Sequence, residues 1–139
     1  MRSVRRLVGV AIAILVLALT VPFASAGTHK GFHLDKTCSG DASEPLGYFC
    51  TVAHSDFKWI PAGIDVHYLS QTGNVVDAAI AIKNGSTAGK CVWSSAVNAV
   101  CTFGGGTGRL TQFHLVVVVT ANADASVWYW DGEYWFGGG

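Results

Sequence analysis

The sequence predicts an all-β protein: one antiparallel β-barrel of about eight strands, held by two disulfides and following a cleaved signal peptide. Three observations carry this expectation. Past residue 26, no segment keeps a helical period of apolar residues for more than two turns. Roughly six to eight short β-patterned runs follow one another with turn signals between them, as in sandwiches and barrels. The longest run, Phe103–Thr120, is a glycine corner (Gly104, Gly105, Gly106, Gly108) feeding Leu-Val-Val-Val-Val-Thr, and consecutive β-branched residues suit a pleated strand. Four apolar residues in a row further predict that both faces of this strand are at least partly shielded from water. A closed barrel leaves no bare edge beside such a strand and is therefore preferred to an open sheet.

Taken from the start, residues 1–26 read as a Sec-type signal. Arg2, Arg5 and Arg6 form the positive region, Leu7–Val21 is uncharged and apolar, and Ala24-Ser25-Ala26 supplies the small-x-small cleavage site. The apolar stretch is shorter than the ~20 residues that span a bilayer. The expected location is secreted and extracellular, with no membrane attachment after cleavage. Cleavage also removes three arginines. Lys30, Lys36, Lys58, Lys83, Lys90 and Arg109 then face nine acidic residues, a net charge of −3 that disfavours nucleic acid and anionic membranes as partners.

Residues 27–45 are polar and read as an irregular N-terminal arm, leaving 46–139 as the barrel domain. Gly47–His54 is the first clear strand. Ile60-Pro61-Ala62-Gly63 suits a type I turn. Ile64–Ser70 alternates Ile64, Val66 and Tyr68 against Asp65 and His67. Thr72-Gly73-Asn74 reverses the chain into Val75–Lys83, whose partner face carries Val76, Ala78, Ile80 and Ile82. Asn84-Gly85 signals a turn. Lys90–Ser94 and Asn98–Phe103 form a short hairpin before the valine strand, and Ala121–Asp124 turns the chain into Val127–Phe136. Gly132 within this last segment marks a hairpin turn, a bulge or a close backbone approach. Parity favours one continuous bent strand, because Trp128, Trp130, Tyr134 and Phe136 then share a face.

Four cysteines in a small secreted chain read as two disulfides among three possible connectivities. Cys38–Cys50 and Cys91–Cys101 are favoured because each pair flanks a turn, and loops this short contribute about 3 kcal/mol apiece. No Cys-x-x-Cys spacing supports a zinc site.

Several motifs together resemble a known group. Cys50-Thr51-Val52, Ile60-Pro61-Ala62-Gly63, Gly89-Lys90-Cys91, Cys101–Leu110 and Trp130–Phe136 follow one another as in small secreted bacterial proteins of the allene oxide cyclase/dirigent-like barrel superfamily. The resemblance implies a calycin-like, eight-stranded barrel with a central cavity. In characterised relatives such a cavity cyclises or orients small lipophilic or phenolic molecules. No catalytic residue of those relatives maps onto a position here.

The function expected from these readings is a secreted barrel that binds a small apolar or aromatic molecule. Trp93, Phe113, Trp128, Trp130 and Tyr134 are the candidate cavity residues, since indole and phenol rings suit a flat ligand. Arg109, the single arginine of the mature chain, is either a further ligand contact or a structural brace paired with an acid such as Asp131. The alternatives are an isomerase or cyclase acting through cavity shape, and a cell-wall carbohydrate module using Tyr129 and Trp135 on the outer face. No catalytic motif is recognisable: the glycine run lacks the Lys-Ser/Thr ending of a phosphate loop, and no nucleophile elbow exists. No cofactor is expected. His54, His67 and His114 fall on three predicted strands, so only the fold decides whether they meet. Cleavage after Ala26 would expose Gly27-Thr28-His29, an amine, two amides and an imidazole suited to Cu(II) or Ni(II).

Overall fold

The structure, a computed structural model, describes residues 27–138. The expected signal segment and its cleavage site at Ala26 lie outside the described residues. Nine strands follow one another: β1 (Lys30–Gly40), β2 (Tyr48–Ser55), β3 (Asp65–Thr72), β4 (Val75–Ile82), β5 (Gly85–Trp93), β6 (Ala99–Gly104), β7 (Thr107–Gly108), β8 (Phe113–Ala121) and β9 (Trp128–Phe136). Every pairing is antiparallel, each long strand pairs with the next, and β9 returns to pair with β1. The result is a closed eight-stranded barrel, with β7 as a short extra strand on the free edge of Gly85–Ser86. Both expected disulfides are present, Cys38–Cys50 bridging β1 to β2 and Cys91–Cys101 bridging β5 to β6.

Period-two alternation builds the interior. Phe32, Leu34, Val52, Val66, Ile80, Cys101, Phe103, Leu115, Val117, Val119 and Trp130 are all buried. One end is closed. Phe57 and Ile60 fold in from the β2–β3 loop and Leu110 from the corner before β8. Phe57 stacks on Phe113 at 5.5 Å and packs against Tyr134 at 4.4 Å, so an aromatic plug fills that half.

Several sequence expectations are corrected. The arm expected over 27–45 is mostly strand: Lys30–Gly40 pairs on both sides and closes the barrel. Its alternation was hard to see because only Phe32 and Leu34 mark the inner face before Lys36 takes the next inward position. The valine run is fully shielded on one face and only partly on the other. Val117 and Val119 are buried, whereas Val116 and Val118 are 36% and 50% exposed, because the wall is a single layer with water outside. The turn after Ile60 closes one residue later than expected, with Ile64 N–H donating to Pro61 O and Gly63 at φ +90°, a type II value in place of type I. Lys83-Asn84 makes the next turn, so β5 begins at Gly85 and not at Lys90.

The last segment is one strand. Its register runs unbroken past Gly132, which faces Phe32 on β1 and Val117 on β8. Gly132 marks a close backbone approach: a Cβ there would collide with the Val116 carbonyl. Gly132→Ala is expected to lower stability by about 1–3 kcal/mol, as overpacking does. Gly31→Ala, where a Cβ meets nothing within 4 Å, is the matched control and should be close to neutral. Urea unfolding of the two variants checks the pair, and equal midpoints would contradict the assignment.

Candidate functional site

Opposite the aromatic plug, the barrel is open. The loops after β1, β3, β5 and β8 surround a cavity of about 440 Å³ whose walls include Tyr48, Tyr68, Gln71, Trp93 and Trp128. Trp93 and Trp128 meet edge to face at 5.7 Å, and Tyr48 stacks on Tyr68 at 5.0 Å. At the floor lies Lys36, only 2% exposed.

Strand geometry puts Lys36 there. On β1 it follows Phe32 and Leu34 at the same parity, opposite Val52 on β2 and Trp128 on β9. The two register shifts in the barrel flank this position: β2 carries an extra Ala53 beside Asp35–Lys36, and β3 an extra Leu69 just after Tyr68. Such bulges re-aim side chains. The second one brings Gln71, opposite buried Val76, to the cavity wall and sends Ser70 outward to Asp77.

The Lys36 ammonium has little to balance its burial. Its Nζ donates to Tyr68 Oη at 2.9 Å, its one hydrogen bond among the described residues, and it forms no salt bridge there. Ring centroids of Trp130, Tyr68 and Trp128 lie 5.2, 5.5 and 6.0 Å from Nζ. Cation–π attraction offsets about 2 kcal/mol of desolvation, less than an unpaired buried charge costs. Burial therefore pushes the Lys36 ammonium down to about 7. The same burial raises the Tyr68 phenol, which stays protonated. Trp130, fully buried against Lys36, has an indole N–H without an acceptor.

Of the residues singled out from sequence, Trp93 and Trp128 line this cavity and Trp130 packs against Lys36. Phe113 and Tyr134 sit in the plug at the other end. Arg109 is exposed there, its guanidinium 4.3 Å from the Trp59 ring, and the expected pair with Asp131 is not made. Asp131 instead accepts from His33 Nδ1 at 2.5 Å, which raises the His33 pKa. The histidines are scattered over the outer wall, His54 on Asp35, His67 on Glu44 and His29 on Glu133. His114 stacks on Trp135. Among the described residues no group of three or more His, Cys, Asp or Glu is placed to hold a metal ion. Lys36, Tyr48 and Tyr68 escaped sequence reasoning as site residues. The signal was parity from Cys38: once that cysteine turns toward Cys50, Lys36 two residues earlier must also turn inward.

Lys36 gives the barrel a distinctive pH dependence. Its folded pKa lies below its unfolded value of 10.5, so between the two the unfolded chain holds a proton that the folded chain has released. The burial penalty is complete below about pH 7 and is relieved as pH rises toward the unfolded pKa. Lys36→Met is expected to stabilise the barrel at pH 6 by a few kcal/mol, with the gap from wild type narrowing by roughly 3 kcal/mol by pH 9. Chemical denaturation across that range measures it; parallel stability curves for the two proteins would refute the shifted lysine.

No family model, curated protein or solved structure matches this chain.

Proposed function

We propose that the protein is a secreted binding barrel that takes a small, flat, apolar or aromatic molecule bearing an oxygen acceptor into its open end. One observation carries the reading: an aromatic-walled cavity of about 440 Å³ whose floor is a buried amine without an acidic partner among the described residues. Buried lysines lacking a counter-charge are rare and cost stability, so one at the floor of a cavity points to a functional role. Trp93, Trp128, Tyr48 and Tyr68 supply ring faces for a planar body, and Lys36 supplies a donor for its polar end. The two disulfides suit the oxidising compartment that a signal peptide implies. The resemblance to allene oxide cyclase/dirigent-like barrels accords with a cavity for a lipophilic or phenolic guest.

The outer face supports the carbohydrate reading less well. Trp135 projects outward, but His29 stacks on it at 4.1 Å and His114 at 5.2 Å. His29 immediately precedes β1 and His114 lies on β8, on opposite sides of β9, so the two rings cover the indole from both sides and leave little of it bare for a sugar ring.

Titration with cinnamyl alcohol, followed by tryptophan fluorescence, tests the proposal. A saturable change is expected, and Trp128→Ala should weaken binding roughly tenfold or more, because an aromatic wall contributes about 1.5 kcal/mol or above. A protein that leaves its fluorescence unchanged with flat aromatic probes, and carries no small molecule in native mass spectrometry, would overturn it.

A further inference from the structure

We infer that Lys36 captures flat apolar aldehydes or ketones as a covalent imine at the floor of the open cavity, a reading that rests on this cavity being the ligand site. The geometry assigns the amine to this chemistry. Lys36 belongs to the cavity floor, the residue is buried in the barrel, and three rings lie within 5.2–6.0 Å of its Nζ. An ammonium here would have two N–H groups without acceptors among the described residues, since its one hydrogen bond goes to Tyr68. The neutral amine suffers less from burial, and burial has already brought its pKa close to neutrality. Because Nζ donates to Tyr68 Oη, the lone pair of the neutral amine is left for an electrophile.

The reaction balances without a co-reactant. The Lys36 lone pair forms a C–N bond to the carbonyl carbon while the C=O π pair moves to oxygen. The nitrogen loses a proton, the oxygen gains one, and a carbinolamine results. The nitrogen lone pair then forms C=N as the C–O bond breaks, and the departing hydroxyl leaves as water with the remaining proton of the nitrogen. Carbonyl and amine become imine and water, with no change of oxidation state. Tyr68, kept protonated by burial, is placed 2.9 Å from Nζ to hand a proton to the oxygen and recover it from nitrogen. Ring walls around the C=N bond slow its hydrolysis by keeping water away.

The other lysines of the described chain, Lys30, Lys58, Lys83 and Lys90, are exposed and serve as internal controls. Wild-type protein is incubated with cinnamaldehyde and cyanoborohydride at neutral pH, and the reduced adduct is mapped by peptide mass spectrometry. One adduct per chain, at Lys36 with at least tenfold preference over each exposed lysine, is expected. Cinnamyl alcohol, which has the same body but no carbonyl, should compete with it. Lys36→Met, which removes the amine from the cavity floor, should lose the adduct, and Tyr68→Phe should slow its formation. If cinnamyl alcohol binds but the adduct spreads evenly over all lysines or is absent, the imine is overturned and the binding site stands. If neither compound binds, the cavity reading falls and the imine falls with it.

Discussion

The ladder between β1 and β9, from Lys30↔Tyr134 to Lys36↔Trp128, turns a sheet into a ring, and the rest of the molecule depends on that closure. A closed antiparallel ring satisfies the backbone donors and acceptors along its strands and leaves no long edge to protect. It also imposes a strict condition on side chains, since every second residue must go inside. β1 has the least apolar sequence of the barrel strands, yet its position between β2 and β9 makes it obey the same rule. Lys36 is buried because the ring has no other place for it.

The two ends of the barrel use their interior differently. At one end Phe57, Phe113 and Tyr134 pack ring on ring, with Ile60 and Leu110 brought in from loops. That half behaves as an ordinary core and supplies hydrophobic stabilisation. At the other end the inward positions carry Tyr48, Tyr68, Trp93 and Trp128, whose rings stand around a space in place of filling it. Both disulfides tie neighbouring strands in this half, Cys38–Cys50 bordering the cavity itself. A hollow half loses packing contacts, and covalent links between adjacent strands help to hold its wall in register.

The bulges belong to the same economy of position. Ala53 and Leu69 are each one residue too many for their ladders, and each sits beside a member of the Lys36–Tyr68 pair. Were Leu69 paired in the ladder and not bulged out, Ser70 would occupy the inward position opposite Val76 that Gln71 now holds. The outer wall follows different physics. Four of its histidines, His29, His33, His54 and His67, pair with carboxylates at or near the surface, where such pairs contribute little to stability.

Much of the architecture was legible in the chain itself. Alternation in Asp65–Thr72 and Val75–Ile82, the valine run, and the shared parity of Trp128, Trp130, Tyr134 and Phe136 are local patterns, and they suffice for an all-β barrel. The disulfide pairing was also legible, because each bridge joins neighbouring strands across a short loop. What needed the tertiary structure was the identity of the eighth stave and the fate of one lysine. A lysine in a polar stretch reads as solvated, because local sequence does not record which neighbours will close over it. Only the pairing of Lys30–Gly40 with both β2 and β9 sets the inward parity and removes Lys36 from water. The same closure sends Phe113 and Tyr134 to the plug and Trp93 and Trp128 to the open end, a division set by distance along the barrel axis.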